Sequence, residues 1–159
     1  MKKQKPTTEA SVPDEALVDA LVTTGFVTMA IITRIGAEHD LSLSLVRVLG
    51  ILSDRRPRMT ELADYLGLEK QTMSGLIARA EKRGLVARAP NEDDRRATDV
   101  FLTSAGAKLV KRLQLEGQRA LTPLTETLSA SERKQLRDLL RRMLESWDPM
   151  AGAPRAHSP

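Results

Sequence analysis

One segment in the middle of the chain places hydrogen-bonding groups on one face of a short predicted helix. Between residues 70 and 83, Met73, Leu76, Ile77 and Ala80 recur at helical spacing and predict a buried stripe. The residues that remain face outward: Lys70, Gln71, Thr72, Ser74, Gly75 and Arg79. Amide, hydroxyl and cationic side chains at the start of such a helix hydrogen-bond to the base edges and phosphates of DNA. These groups could therefore contact DNA if the helix belongs to a DNA-binding architecture, and an ordinary solvated face is the simpler alternative.

Arginines lie on both sides of this helix in the sequence. Arg95 and Arg96 follow three acidic residues, and either could contact phosphate or enter a narrow minor groove. The alternative is that they only neutralise those carboxylates, or that one of them pairs with Asp94 while the other reaches DNA. Further candidates for phosphate contacts precede the helix: Arg55, Arg56, Arg58 and Thr60.

The residues show no pattern typical of catalysis or metal binding. A nucleophile elbow, a Gly-rich phosphate loop and metal-ligand spacing are all missing. The chain has no cysteine, and its two histidines, His39 and His157, lack companion ligands and are expected to be surface residues. Arg47, the only charge on an apolar segment, could bind an anionic ligand, but a structural ion pair is the expected role. We therefore expect no enzyme activity, no metal and no cofactor.

The helix with the outward polar face is the second of a pair. The preceding helix is predicted to begin with Thr60 as its N-cap and to stop at Gly67, and Gly84 ends the second helix. Two short helices separated by a turn containing glycine make a helix-turn-helix. After them, runs of β-forming residues at 85–89 and 98–102 predict a hairpin with a charged tip, which we call the wing.

Two further helices are predicted before this unit. Ser11 and Asp14 have the spacing of a capping box and open a helix of about six turns that ends near Gly36. The almost wholly apolar segment 42–53 predicts a buried central helix.

Two helices are also predicted after the wing. The first runs over 103–127, where Pro123 is expected to kink it. Ser129 and Glu132 form a second capping box, which opens an amphipathic last helix whose apolar positions extend to Trp147. The outer helices carry more apolar surface than a small wing domain can cover, which predicts an obligate homodimer.

These elements predict a mainly α fold, more fully an α+β winged helix. Residues 37–103 are assigned to the winged helix-turn-helix DNA-binding lobe, and residues 11–36 and 104–148 to a helical dimerisation region. The polar or Pro-rich ends, residues 1–10 and 149–159, are expected to be disordered tails.

Composition is compatible with this assignment. The net charge of +4 permits a polyanionic partner, and 41% hydrophobic with 29% charged residues is typical of a globular protein. The basic start of the chain is followed by acidic residues, so no secretory leader is expected. The apolar run at 26–32 is far shorter than a bilayer-spanning segment. We expect a cytoplasmic, nucleoid-associated protein with no membrane partner.

Two segments resemble the multiple-antibiotic-resistance regulator (MarR) family: MTELADYLGLEKQTMSGLIARAEKRGLVAR from Met59 and DDRRATDVFLTSAGAKL from Asp93. With the order of the helices, the resemblance extends over about residues 14–147. The chain departs from the family pattern at Glu69 and Gly75, where many members have Ser and Arg, and at Asp93, where many have Arg. The base preference of relatives therefore does not transfer to this chain.

The resemblance implies a homodimer that binds double-stranded DNA at a pseudo-palindromic operator, most often to repress transcription. It also implies a small hydrophobic or aromatic acid effector between the helical layer and the DNA-binding lobe. Residues expected to line that pocket are Phe26, Met29, Val46 and Leu49. Two alternatives remain open at this point: a winged-helix adaptor that binds proteins and not DNA, and a DNA-binding regulator without a small-molecule input.

Overall fold

In a computed structural model that describes residues 14–145, the chain folds into six α-helices and one two-stranded antiparallel sheet. The elements in chain order are α1 (Glu15–Glu38), α2 (Leu43–Leu52), α3 (Met59–Leu66), α4 (Lys70–Lys82), β1 (Val86–Pro90), β2 (Thr98–Leu102), α5 (Ser104–Leu121) and α6 (Ala130–Glu145). This is the predicted winged-helix order, with α3 and α4 as the helix-turn-helix and β1–β2 as the wing. The predicted tails lie outside the described residues.

The first helix begins where Asp14 caps it. The Asp14 carboxylate accepts a hydrogen bond from the backbone N–H of Leu17 at 3.0 Å, so Asp14 itself is the N-cap. Asp14, which the sequence predicted to be the partner of Ser11 in a capping box, therefore takes the N-cap position itself. Ser11 lies outside the described residues. Helix α1 continues two residues beyond Gly36 and ends at Glu38.

The helix-turn-helix differs from its prediction at one cap. Helix α3 starts at Met59, and its N-cap is Arg58, whose backbone N–H donates to Glu61 Oε2 at 2.8 Å. Thr60 is consequently an exposed residue of the first turn, and its predicted capping role is wrong. The two glycine stops are confirmed, since Gly67 and Gly84 have φ of 63° and 70°, in the left-handed region that ends helices.

The core lies where α2, α3, α4 and the wing meet. Its buried side chains include the whole predicted stripe of α4 and much of the predicted central helix α2. The members from these four elements are Leu45, Val48, Leu49, Leu52, Leu62, Ala63, Leu66, Met73, Leu76, Ile77, Ala80, Val86 and Val100. These contacts fix α4 with its polar side facing solvent.

The wing is held at its base by backbone contacts. Strands β1 and β2 pair from Val86 opposite Leu102 to Pro90 opposite Thr98. The backbone N–H of Val100 also donates to the carbonyl of Pro57 at 3.0 Å, which ties β2 to the segment before α3. At the start of α5, a Cβ added to Gly106 would lie 1.9 Å from the carbonyl oxygen of Leu85, so only glycine permits this approach.

The C-terminal helices correct one prediction and confirm another. Instead of a kinked helix to residue 127, α5 ends at Leu121, and residues 122–125 form a 3-10 turn that contains Pro123, which has no N–H to continue the helix. The second capping box is confirmed: Ser129 N–H donates to Glu132 Oε2 at 2.8 Å, and Glu132 N–H donates to Ser129 Oγ at 3.3 Å. Hydrogen bonding to the Glu132 carboxylate, by the Ser129 side chain first and by the Ser129 backbone N–H second, lowers the pKa of Glu132 below its ordinary value.

The outer helices carry exposed apolar side chains. On α1 these include Leu17, Val18, Leu21, Val22 and Phe26, and on α6 they are Leu136, Leu139, Leu140, Met143 and Leu144. No residue of α6 is buried. By length and apolar composition alone α1 could also cross a bilayer, which the expectation from the shorter run at 26–32 missed. We refer to the exposed apolar side chains of α1 and α6 together as the apolar outer face.

Candidate nucleic-acid interface

Helix α4 presents its polar side chains to solvent. Lys70, Gln71, Thr72, Ser74 and Arg79 are all exposed, and we call them the polar face of α4. Packing of the opposite stripe into the core leaves this face free for a partner, as the sequence predicted. Two amide or hydroxyl groups and a cation lie in the first turn, where such a helix meets base edges in a major groove.

The absence of a side chain at Gly75 is partly compensated by Arg79. A Cβ added to Gly75 would lie 3.6 Å from Nη1 of Arg79. Long helical side chains lean toward the N-terminus of their helix, and residues four apart share a face. The Arg79 guanidinium therefore lies over Gly75, close to where a side chain at position 75 would begin.

Glu69 is the N-cap of α4 and makes no side-chain hydrogen bond to the helix. This agrees with its expected weakness as a cap, because glutamate is not among the residues that favour the N-cap position.

Asn91 organises the tip of the wing. Its Oδ1 accepts hydrogen bonds from the backbone N–H groups of Asp93 and Asp94, at 3.1 and 2.9 Å. Its Nδ2 donates to the buried carboxylate of Asp99 at 2.8 Å. The turn is thus shaped by a buried amide and carboxylate, which the sequence analysis did not identify. The signal was a polar Asp99 next to apolar Val100 in a short strand.

The two wing arginines have different environments. The backbone N–H and Nε of Arg96 donate to Asp94 Oδ1 at 3.0 and 3.4 Å, although the side chain is 95% exposed. Arg95 is exposed and forms no ion pair with any residue between 14 and 145. Of the alternatives left open, the structure matches the one in which one arginine pairs with Asp94 and the other is available.

Arg56 is engaged within the protein although its side chain is 39% exposed, which makes it a weaker candidate for a phosphate contact than the sequence indicated. Its Nε lies 3.6 Å from the buried Asp99 carboxylate, and its guanidinium carbon lies 4.4 Å from the centre of the Phe101 ring. Arg58 has one long hydrogen bond, 3.5 Å from Nη2 to Asn91 Oδ1. Arg55 Nε lies 3.8 Å from Asp54, and Thr60 is exposed.

Two expectations outside the interface are corrected. His39 is not a free surface residue, because its Nε2 lies 2.7 Å from Glu116 Oε2 and its side chain is only 18% exposed. Arg47 is exposed and has no ion pair within residues 14–145, so it does not form the expected structural pair. His157 lies outside the described residues. Among those described, no group of three potential metal ligands occurs.

The residues assigned to an effector pocket do not share one environment. Phe26 and Met29 are 64% and 46% exposed on α1, whereas Leu49 is completely buried in the core. Val46 is partly buried, and its Cγ2 packs close to Gly36. Leu49 is therefore a core residue, whereas Phe26 and Met29 face outward.

The known proteins that this chain resembles are transcriptional regulators. A family model described as the MarR family matches residues 39–97. The uncharacterized HTH-type transcriptional regulator YfiV of Bacillus subtilis is 31% identical over 67% of this chain and 69% of its own. The HTH-type transcriptional repressor NicR of Pseudomonas putida is 30% identical over 70% of each chain. The transcriptional repressor MprA of Escherichia coli is 29% identical, and the matching residues span 52% of its length.

Solved structures share the fold along most of their length. A crystal structure of MarR has a TM-score of 0.68 at 22% identity, covering 91% of this chain and 97% of that one. A mutant MarR from E. coli complexed with operator DNA has a TM-score of 0.62 at 25% identity, covering 81% of this chain and 94% of that one. The match includes the outer helices as well as the winged lobe.

Proposed function

This chain belongs to the MarR family of winged helix-turn-helix transcriptional regulators, and on that premise we propose that it represses transcription by binding a pseudo-palindromic operator as a homodimer. It is a regulator and not an enzyme. In the proposal, residues 37–103 form the DNA-binding lobe, and residues 11–36 and 104–148 form the dimerisation region. Such a regulator acts in the cytoplasm, and its association with the nucleoid is part of the proposal.

The observation that carries the proposal is the exposure of the polar face of α4 above a fully packed stripe. Gln71, Thr72 and Ser74 supply hydrogen-bonding groups for base edges, and Lys70 supplies a cation beside them. Arg79 adds a guanidinium over Gly75, a group suited to bidentate contact with guanine. In the proposal, the exposed Arg95 at the wing tip contacts the DNA backbone or minor groove beside the major groove that α4 enters.

The apolar outer face supports the dimer. A 16-residue helix such as α6 with no buried residue is marginal by itself in water, so its apolar side needs a partner. A second copy of the chain supplies one of matching character, as in homodimer interfaces that resemble a core cut in half. A two-fold dimer then presents its two α4 helices roughly 34–36 Å apart, one helical turn of DNA.

The effector remains part of the proposal. We propose that a small hydrophobic or aromatic acid binds beside Phe26 and Met29, which offer apolar contacts. Because Phe26 also belongs to the apolar outer face, this site adjoins the proposed dimer interface. The acid's effect on DNA binding must come from a higher affinity for one dimer geometry than for another, because equal affinities shift no equilibrium.

The test is a gel-shift titration of the protein against the DNA upstream of its own gene, with an unrelated duplex of equal length as control. We expect specific binding that a double Arg95→Ala, Arg96→Ala variant weakens. No binding to either duplex would contradict the proposal and favour the protein-binding adaptor, and equal affinity for both duplexes would contradict sequence-specific recognition. A thermal-shift screen of hydrophobic acids tests the effector separately, and a broad screen without a stabilising compound would favour a regulator with no small-molecule input.

A further inference from the structure

The end of helix α4 is attached to the turn that follows α1. Arg83, directly after α4, donates from Nη1 to the carbonyl oxygen of Asp40 at 2.7 Å and from Nη2 to the carbonyl oxygen of His39 at 3.0 Å. The planar guanidinium thus holds two successive carbonyl groups with two parallel donors, a geometry that lysine cannot reproduce. None of the proposed DNA contacts involves Arg83.

The turn that Arg83 holds is conformationally fixed. Asp40 has φ of 55°, the one positive φ at a non-glycine position within residues 14–145. Leu41 N–H donates to Gly36 O at 2.8 Å and Asp40 N–H to Ala37 O at 3.1 Å, the pair of bonds that defines a Schellman motif. A Cβ on Gly36 would lie 2.8 Å from Val46 Cγ2, so α1 and α2 are in close contact beside the turn. The two carbonyl groups therefore have fixed positions.

The same turn is attached to α5. The His39 side chain lies 2.7 Å from Glu116 Oε2 across a sequence separation of 77 residues, and both side chains are partly buried. Residues 39–40 thus connect three elements: α1, which they follow, α5 through Glu116, and α4 through Arg83. We call this arrangement the 39–40 joint.

We propose that Arg83 is a positioning residue for DNA recognition, and that the 39–40 joint sets the orientation of α4 relative to α1 and α5. The first-turn residues Lys70, Gln71 and Thr72 lie at the opposite end of α4 from Arg83, about 16–20 Å away for 11 to 13 residues at 1.5 Å each. A rotation of about 5° at the joint would move them by about 2 Å over such a length. That displacement is enough to lose a hydrogen bond to a base edge. The consequence for DNA binding rests on the proposed function, whereas the consequence for orientation does not.

The first measurement needs no DNA. Because the chain has no cysteine, introducing Gln71→Cys on α4 and Lys111→Cys on α5 confines the spin labels to these two positions. Diluting labelled protein with unlabelled protein restricts pulsed electron-spin resonance to the distance within one protomer. We expect a narrow distance distribution with Arg83 present and a broader one in Arg83→Ala. The distance distribution of Arg83→Lys, which has one point-like donor group, should be intermediate in width. That of Lys82→Ala should remain narrow.

The second measurement compares operators whose half-sites are separated by the native spacing, one base pair more or one base pair fewer. Arg83→Ala should lose about tenfold in affinity at the native spacing and lose the preference among spacings. Its salt slope should not change, because no phosphate contact is removed. His39→Ala, which detaches only α5, should weaken the spacing preference less.

The two measurements separate the inference from the proposed function. An unchanged distance distribution in Arg83→Ala would overturn the positioning role, and so would a flattened salt slope, which would identify Arg83 as a phosphate contact. If the distribution broadens and the wild-type protein binds no DNA, the joint is confirmed as the element that orients α4 and the proposed function fails.

Discussion

The winged lobe and the outer helices use apolar residues in opposite ways. In the lobe, the stripes of α2, α3 and α4 are buried against one another and against the wing, so the lobe completes its core within one chain. On α1 and α6, residues such as Leu17, Phe26 and Leu140 are 38–64% exposed. Both regions were recognisable from helical periodicity, yet only one of them is satisfied by intramolecular packing.

The winged lobe and the outer helices therefore place different requirements on the sequence. In the proposed function the lobe has to hold α4 rigidly, since base contacts would depend on its position, and its closed core and glycine-terminated helices meet this need. In the proposed dimer the outer helices bind a second copy, so their apolar side chains have to remain available in the single chain. The comparison predicts that substitutions in the two regions fail by different routes: dissociation in one, and unfolding or altered DNA contact in the other.

The largest loss of operator affinity is expected from a substitution on α6. Leu140→Asp places a charge in the middle of the apolar outer face, and burial of an unpaired carboxylate at an interface is unfavourable. We expect a monomer in sedimentation equilibrium at micromolar concentration. Affinity for a two-half-site operator should fall by about 100-fold or more, because both lobes no longer bind together. Gln135→Asp, on another side of the same helix, is the matched control and should remain dimeric. A well-folded wild-type monomer under these conditions would contradict the dimer.

Within the lobe, Gly106→Ala should be the most damaging small substitution. The new Cβ would meet the Leu85 carbonyl oxygen at 1.9 Å, and backbone cannot move aside as a flexible side chain does. We expect a loss of about 3 kcal/mol in the free energy of unfolding, at the upper end for overpacking. Gly50→Ala, which meets nothing within 4 Å in α2, should instead gain about 0.5–1 kcal/mol. Urea denaturation measures both, and equal effects would show that the approach at Gly106 is not tight.

The arginines before and within the wing should separate stability from DNA binding. Arg56→Ala leaves the buried Asp99 carboxylate without its cation and should cost about 1–3 kcal/mol of unfolding free energy. Arg95→Ala should change stability by less than about 0.5 kcal/mol. It should also flatten the salt dependence of DNA binding by about 2 per dimer, from two lost phosphate contacts. If Arg95→Ala left affinity and salt slope unchanged, the wing tip would not contact DNA.

The smallest effect concerns the cap of α6. Hydrogen bonds from Ser129 lower the pKa of Glu132, so the folded state favours the ionised carboxylate. Its stabilisation is present above the ordinary glutamate pKa and is lost as the pH falls through the lowered value. We expect Glu132→Gln to reduce the Tm slightly at pH 7, with the difference from wild type vanishing in acid. Glu126→Gln, a control beside the cap, should show no such convergence. A pH-independent difference would exclude this role of the charge.

Much of the fold could be predicted because its signals are local. The buried stripe of α4, the glycine stops at residues 67 and 84, and the capping box at Ser129 each depend on residues a few positions apart. The wrong predictions about where helices begin and end arose where neighbouring residues favour different boundaries. Glu61 reached the N–H of Arg58 and moved the start of α3 away from Thr60, and Pro123 ended α5 where a kink was expected.

The rest depends on contacts between distant parts of the chain. Arg56 looked like Arg55 and Arg58 in the sequence, and only the return of β2 brings Asp99 and Phe101 to it. The His39–Glu116 pair joins residues 77 positions apart, so no spacing rule could indicate it. Of the candidate site, the polar face of α4 was predictable from periodicity, whereas the different environments of Arg95 and Arg96 required the geometry of the wing turn.

The proposed division of roles assigns sequence preference to α4 and affinity to the wing. It is tested by measuring affinity for operator variants at several salt concentrations, with Gln71→Ala, Thr72→Ala and the Arg95→Ala, Arg96→Ala double variant. We expect each α4 variant to lose about 1–3 kcal/mol of discrimination at one base pair of each half-site, with an unchanged salt slope. The wing variant should weaken binding to all sequences alike and flatten the slope. Unchanged base preference in both α4 variants, or a loss of preference confined to the wing variant, would contradict the account.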